Sequence, residues 1–420
     1  MKKYFMSVAA LAGMMSLAAC SSDDIVSPAD NDVQTIKIAV ASTGDKSTRS
    51  RDLNSEEPGQ NIESVAVVIR DKANNVVYQK VITDWQTASN IYTDNGHGRE
   101  YTLKLEKDQR LNAGDYTITA VGYTAGDFKS NTIVDATEGK VAAGNFTAEV
   151  ADGKAAQEAF AGESSIKLLE DHEGINPSVT LHRQVAGYYG YFTSIPVEVN
   201  SKKVTNVRLV ARSKNTKLTY GNFNSNFTTT NNDVMYVVNG SEPATPKDAK
   251  FNGSADDDAY TLYNIKVTDW FTQGDMNNDG ILDEKDEGWK NPLATKGYLT
   301  SQKGTIFAGG FAVPFAATDA ATLELQLLDA SGEILKSWTV AMATAQPTGQ
   351  DVEKATLPAE TVQNFSFFRN HMYTLGKKVD NTDKPGTTTP DEPEPLDKSQ
   401  SMILRVNDNW EVINRMTIGD

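Results

Sequence analysis

The chain is written in short apolar runs of period two, each closed by Gly, Asn or Asp, a rhythm that restricts it to strands burying one face. Ser64-Val65-Ala66-Val67-Val68-Ile69 leads through Asp71-Lys72-Ala73-Asn74-Asn75 into Val76-Val77-Tyr78, two strands about a tight polar turn. The run 101–105 precedes 111–121, in which Leu111, Tyr116, Ile118 and Ala120 share one face and should line a core. Residues 179–188 read as one further strand, continuing through Tyr189, Tyr191 and Phe192 to Ile195-Pro196, where a domain boundary is expected. The second half repeats the style at 204–211, 309–315 and 321–328. The last of these turns at Ala330-Ser331-Gly332-Glu333 into 334–340, a hairpin with Trp338 at its inner end. A helix over 153–163 is the one departure. The expected fold class is all-β: two tandem β-sandwich domains of transthyretin-like or Greek-key type with antiparallel sheets, followed by a tethered C-terminal strand segment.

The N-terminus carries an address. Lys2 and Lys3, an apolar run from Phe5 to Met15 and then Leu17-Ala18-Ala19-Cys20 have the order of a secretory signal peptide. The ending resembles the lipobox of bacterial lipoproteins, which implies acylation of Cys20 and cleavage just before it. Ser21-Ser22-Asp23-Asp24 resembles the acidic tag that sends such lipoproteins to the outer face of the outer membrane. Cys20 is the only cysteine of 420 residues, so no intrachain disulfide forms and stability must come from burial. The net charge of −16 argues against nucleic acid or anionic lipid as a partner. Residues 1–49 hold five basic and five acidic residues, so their loss leaves that charge unchanged.

Two strand-like stretches at opposite ends are alike. Ile36, Ile38 and Val40 alternate with Lys37 and Ala39 ahead of Thr48-Arg49-Ser50-Arg51; Met402, Leu404 and Val406 alternate with Ile403 and Arg405. The second follows a linker, 381–400, containing Pro385, Pro390, Pro393 and Pro395 among Thr, Asp and Glu, a composition suited to an extended tether. Beyond it, Trp410, Val412 and Ile413 continue an apolar tail with no core of its own.

Taken in order, these pieces resemble the fimbrillin family, the type V pilins of Gram-negative anaerobes. The residues that carry the likeness are the lipobox at Cys20, the strand and arginine across 36–49, and Leu111-Asn112-Ala113-Gly114-Asp115-Tyr116. They continue with Arg183-Gln184-Val185-Ala186, the segment 365–373, and Val406-Asn407-Asp408-Asn409-Trp410-Glu411-Val412. The resemblance implies an outer-membrane lipoprotein precursor that an arginine-specific protease cuts. Lipid and first strand leave, and the C-terminal strands of another copy, or of a related pilin, fill the exposed groove of an extracellular fimbrium that supports adhesion and colonisation. On this chain the cut falls after Arg49, with Arg51 as the alternative; Ser50 departs from the small apolar residue usual after the arginine.

The organisation expected is a leader 1–19, a propeptide 20–49 with the removable strand Ile36, Ile38 and Val40, sandwiches at 50–197 and 198–380, the linker 381–400, and donor strands 401–420. Met402, Leu404, Val406, Trp410, Val412 and Ile413 are the donor residues. The physics of exchange stands apart from the family: a removed strand leaves unpaired sheet edges, and an unpaired edge is a template for another strand. Each large apolar side chain reburied contributes about 1.5–3 kcal/mol.

The sharpest local motif lies in the second half. Asp275, Asn277, Asp279, Gly280, Ile281, Asp283 and Asp286 match an EF-hand loop at positions one, three, five, six, seven, nine and twelve, with aliphatic Leu282 at eight. Ca²⁺ takes six to eight oxygens around a tightly curled backbone, and this spacing supplies them: three side chains, the Ile281 carbonyl, Asp283 through water, and Asp286 closing the site. A structural Ca²⁺ is the expected cofactor, ordering the insertion between Trp270 and Trp289.

No enzyme is expected. The four histidines, His97, His172, His182 and His371, form no zinc spacing, and there is no cysteine nucleophile or phosphate loop. Two alternatives stay open: a lipid-retained fimbrial anchor subunit, and a calcium-containing glycan-binding surface lipoprotein presenting Trp85, Trp270 and Trp289.

Overall fold

Alternation becomes two large sheets in the computed structural model of the protein. It describes residues 34–40, 62–88, 90–92, 98–124, 128–131, 134–135, 140–141, 146–150, 156–169, 175, 177–211, 214–220, 238–243, 261–293, 302–315, 323–342, 367–376, 391–397 and 402–407. The first sheet has eight strands in the order Val76–Ile82, Ser64–Asp71, Gly114–Tyr123, Ala159–Leu168, Ser178–Arg183, Gln34–Val40, Gly98–Leu105 and Asn90–Tyr92. Its leading hairpin turns as expected: Asn74 takes a left-handed φ of 66°, and the Asp71 carboxylate accepts from both the backbone and the side chain of Asn75.

Each face of this sheet buries a different set. On one side Ile36, Ile38, Val65, Val67, Ile69, Leu103, Leu105, Ile118, Val179 and Leu181 pack around Trp85. On the other, Ala66, Val68, Val121 and Ala161 meet Phe146, Ala148, Leu218 and Val313. The covering layer there is a four-stranded sheet in the order Gly240–Pro243, Asn215–Thr219, Thr147–Val150, Phe128–Asn131. Two of its strands come from each half of the sequence, so this layer is shared between the halves.

The second sheet runs Thr261–Lys266, Asn206–Ala211, Leu323–Leu328, Ile334–Met342, Met402–Asn407, Met372–Leu375, Ala186–Thr193 and Thr305–Ala312, with Glu394–Pro395 also pairing to Ala186–Thr193. Its core is aromatic, with Tyr191, Phe192, Phe307, Phe315, Phe367 and Tyr373 fully enclosed.

Three expectations need correction. Where the expected helix 153–163 falls on described residues, 156–163, it is not a helix: Ala159–Leu168 is a strand laddered along the whole of Gly114–Tyr123. Its alanines and glutamates favour a helix locally, but period-two burial of Ile166 and Leu168 outweighs that propensity. Gly162 permits the close approach of the next strand, since a Cβ there would run into the Thr180 carbonyl oxygen. Residues 179–188 are two strands, not one. The chain leaves the first sheet after Arg183 and enters the second at Ala186, so the crossing precedes Pro196. Nor are the sheets wholly antiparallel, because Gln34–Val40 runs parallel to Ser178–Arg183, and Met402–Asn407 parallel to Ile334–Met342.

Candidate functional site: two inserted strands and an acidic loop

The strand Gln34–Val40 is interior to its sheet. It pairs antiparallel with Gly98–Leu105, matching Ile36 to Leu103 and Ile38 to Tyr101, and parallel with Ser178–Arg183, matching Ile38 to Val179 and Val40 to Leu181. Ile36 and Ile38 are 0 % exposed. Thr35 N–H and Lys37 N–H donate to the Ile175 and Pro177 carbonyls, and Lys37 Nζ lies 3.1 Å from Glu100 on the outer face. Lifting this strand out would cut the sheet in two and leave both flanking strands with open edges.

Sequence reasoning missed one residue of this seat. Gln34 is buried, and its amide donates from Nε2 to the Leu111 carbonyl at 2.9 Å and accepts at Oε1 from Leu111 N–H at 2.7 Å. The side chain thus acts as one rung of a ladder, satisfying two backbone groups of the loop that precedes Gly114–Tyr123. A polar residue heading an apolar alternation was the available signal.

The tail strand Met402–Asn407 lies in a slot of the same kind. Met402, Ile403 and Leu404 pair parallel with Val340, Ala341 and Met342, and Arg405, Val406 and Asn407 pair antiparallel with Thr374, Tyr373 and Met372. The linker before it is partly docked, contrary to the expectation of a fully extended tether. Leu396 is 0 % exposed, its N–H donates to Thr193 carbonyl, and Tyr191 Oη donates to Asp391 Oδ2 at 2.8 Å. Cys20, Arg49, Arg51, Trp410, Val412 and Ile413 lie outside the described residues.

The acidic loop is curled by its own side chains. Asp275 Oδ2 accepts from Gly280 N–H at 2.8 Å, Asn277 Oδ1 from Asp279 N–H, and Asp279 Oδ1 from Ile281 N–H. Asp286, fully buried, accepts from Met276 N–H and Asp283 N–H, which ties the loop's end to its start. Gly274 and Gly280 adopt left-handed φ of 71° and 84°, conformations that glycine takes without strain. Lys285 bridges Asp279 and Asp283, which raises its own affinity for a proton. Burial pulls the Asp279 carboxyl upward, but the Ile281 N–H and Lys285 outweigh it and hold the group below its ordinary value. The Asp275 Oδ1 atom is buried and has no hydrogen-bond partner. Among the described residues, no three Asp, Glu, His or Cys side chains converge as a ready cation site. The expected ligand set differs in kind, drawing also on the Asn277 amide and Ile281 carbonyl. Ile281–Leu282 pairs with Ile195–Pro196, which seats the loop at the end of a second-sheet strand.

Two segments quoted for the family likeness meet in space. Asn370 N–H donates to Val185 carbonyl, Gly187 N–H to His371 carbonyl, and Arg369 Nη1 to Gln184 Oε1, where the chain passes between sheets. Arg183 is wholly buried, pairs with buried Glu158 at 2.7 Å and stacks its guanidinium 4.8 Å from the Phe160 ring centre. His371 is buried with Nδ1 2.7 Å from Arg369 carbonyl, and burial lowers its pKa to about 4. This is a structural joint between the sheets.

The tryptophans named for a glycan platform are not a platform. Trp85 and Trp270 are buried, and half-buried Trp289 donates its indole N–H to Thr305 carbonyl at 2.7 Å. No helix among the described residues is long and apolar enough to cross a membrane.

No family model matches the chain, and no curated protein matches it. Among solved structures, it is similar to a fimbrial assembly protein from Parabacteroides distasonis, with 12% identity over 82% of this chain and 92% of that one and a TM-score of 0.33. It is also similar to a fimbrial anchor protein from Porphyromonas gingivalis, with 12% identity over 86% of this chain and 95% of that one and a TM-score of 0.33. Neither likeness is strong enough to assign a role to any residue.

Proposed function

We propose that this chain is a structural subunit of a cell-surface fimbria: exported as a lipoprotein acylated at Cys20, cut after Arg49 or Arg51, and polymerised by donor-strand exchange to support adhesion. The observation that carries this reading is the interior seat of Gln34–Val40, the strand on the leader side of those arginines. An edge strand could leave without consequence; this one leaves a groove lined by Leu103, Leu105, Val179 and Leu181 and flanked by two open edges. Before cutting, the resident strand is held at high effective concentration by its covalent link, and proteolysis removes that advantage.

One observation favours the runner-up, a lipid-retained anchor subunit: the tail strand is already paired in its own second sheet. A single experiment separates the two. Precursor lacking its lipid signal is treated with an arginine-specific protease, then read by intact mass, N-terminal sequencing, detergent gels and electron microscopy. Cutting after Arg49 followed by an oligomer ladder that disappears on deletion of residues 401–420 supports the stalk subunit. A folded chain that resists cutting, or is cut and stays monomeric, refutes it.

We further propose that loop 275–286 holds one structural Ca²⁺, with Asp275, Asn277, Asp279, the Ile281 carbonyl, Asp283 through water and Asp286 as ligands. Support comes from the buried, partnerless Asp275 Oδ1 and from the wholly buried Asp286 carboxylate, whose hydrogen bonds are to backbone N–H groups alone. The ion would supply a positive charge to the buried Asp286 carboxylate and to the buried Oδ1 atom of Asp275.

A further inference from the structure

The seat of the first strand sets a condition on any strand that replaces it. Gln34 reaches from the strand to satisfy both the N–H and the carbonyl of Leu111, which is itself buried. A replacement without an amide there leaves two backbone groups shielded from water and unpaired, a heavy penalty. The strand must therefore read glutamine, one residue, then three apolar residues at alternate positions.

Residues 34–40 read Gln-Thr-Ile-Lys-Ile-Ala-Val, and residues 400–406 read Gln-Ser-Met-Ile-Leu-Arg-Val. We propose that residues 400–406 of a second copy enter the groove in this register, with Gln400 taking the place of Gln34, Met402 of Ile36, Leu404 of Ile38 and Val406 of Val40. This rests on the donor-strand reading above and fixes which residue goes where.

Three further correspondences agree. Ser401 brings a hydroxyl to the position from which Thr35 Oγ1 donates to Ile175 carbonyl at 3.2 Å. Arg405 takes the position of Ala39, whose antiparallel partner is Glu100, so it supplies the cation that Lys37 gives that carboxylate in the precursor. Strand polarity also fits: in its own sheet Met402–Asn407 has one parallel and one antiparallel neighbour, as Gln34–Val40 has in the first sheet.

Other placements fail. A shift of one residue turns Met402, Leu404 and Val406 outward. A shift of two sets either an apolar chain or Lys398 against Leu111. The last segment offers only Asn414, with a side chain one methylene shorter, followed by Met416 and Ile418 and then charged Asp420 at the third apolar position.

The test uses full-length protein lacking its lipid signal, cut after Arg49, with excess fluorescent peptide and size-exclusion chromatography to measure retention. Peptides of residues 33–41 and 399–408 should both be retained, and Gln400→Ala or Gln400→Glu in the second should weaken binding at least tenfold. Leu404→Asp should abolish it. Retention of 33–41 with none of 399–408, or equal binding of the Gln400→Ala peptide, overturns the register while leaving a strand-accepting groove. Failure of every peptide, 33–41 included, refutes the donor-strand reading itself.

Discussion

Replacing Ile38 by alanine probes how far the first strand belongs to the core. Ile38 is wholly buried at the centre of the strand, set between Tyr101 on one side and Val179 on the other. Truncating a buried isoleucine costs about 2–5 kcal/mol, and the upper part of that range applies where the surroundings cannot collapse. Here the walls are strands laddered to their own neighbours, so the cavity stays open. Against a typical domain stability of about 5–15 kcal/mol, the precursor should remain folded but be visibly weakened. The assay is urea unfolding of the uncut precursor, with hydrogen exchange read over 98–105 and 178–183 against 305–312. Protection should fall in the first two segments and hold in the third, which lies in the other sheet. After cutting, the same loss should speed departure of the strand by about 30-fold to a few thousand-fold, at tenfold per 1.4 kcal/mol. A cost below about 1 kcal/mol, or an equal loss of protection in 305–312, would refute the assignment of this strand to the first core.

Three other outcomes are expected. Calcium at millimolar concentration should raise the melting temperature where magnesium does not, and Asp275→Asn, which keeps an acceptor for Gly280 N–H, should erase that rise without lowering stability in chelator. Because burial holds His371 at about 4 in the folded state, below the ordinary imidazole value of about 6.5, its contribution is complete above pH 6.5. That contribution is lost as pH falls from 6.5 toward 4, by on the order of 3 kcal/mol, and a His371→Gln chain should show a flatter urea-stability profile across this window. Arg183→Met should cost about 3–5 kcal/mol because it takes the guanidinium away from a carboxylate buried in the interior, while adding Glu158→Leu should recover most of the loss in a double-mutant cycle.

Much of the fold was legible because strand burial has period two. The hairpins 64–78 and 323–340, the inward face of Leu111, Ile118 and Ala120 with half-buried Tyr116 beside it, and the strand 34–40 are all written as alternation. What alternation cannot show is which strand lies beside which. The shared four-stranded sheet, the parallel pairings of both terminal strands and the crossing at Gln184-Val185 depend on contacts between residues far apart in sequence. Local composition misled at 153–163, where helix-forming residues lead into a strand set by its ladder to Gly114–Tyr123, a pairing of residues far apart in sequence. In the acidic loop the turn residues Gly274 and Gly280 were legible, and the buried partnerless oxygen of Asp275 was not. Gln34 was overlooked for a related reason, since a polar side chain at a strand's start reads as solvated until its partner, Leu111, is known.

The placement of the tail strand bears on how exchange would be driven. Met402–Asn407 must give up pairing on both sides in its own sheet before it enters a neighbour's groove, and there it regains pairing on both sides. The ladder hydrogen bonds lost and gained are therefore comparable, and their net contribution to assembly is small. Favourable terms must come from elsewhere. The groove's own need is the largest: an emptied seat exposes Leu103, Leu105, Val179 and Leu181, whereas the uncut precursor exposes none of them. On the proposed reading, assembly would be governed by the acceptor's vacancy and not by the donor's affinity alone, and control would lie at the cut after Arg49 or Arg51. On this account a precursor with an uncuttable Arg49→Ala and Arg51→Ala pair should stay monomeric even when mixed with excess free peptide 399–408, because its own strand remains tethered in place. Oligomers from that doubly substituted chain would show that the donor displaces a tethered strand unaided, and would remove proteolysis from the switch.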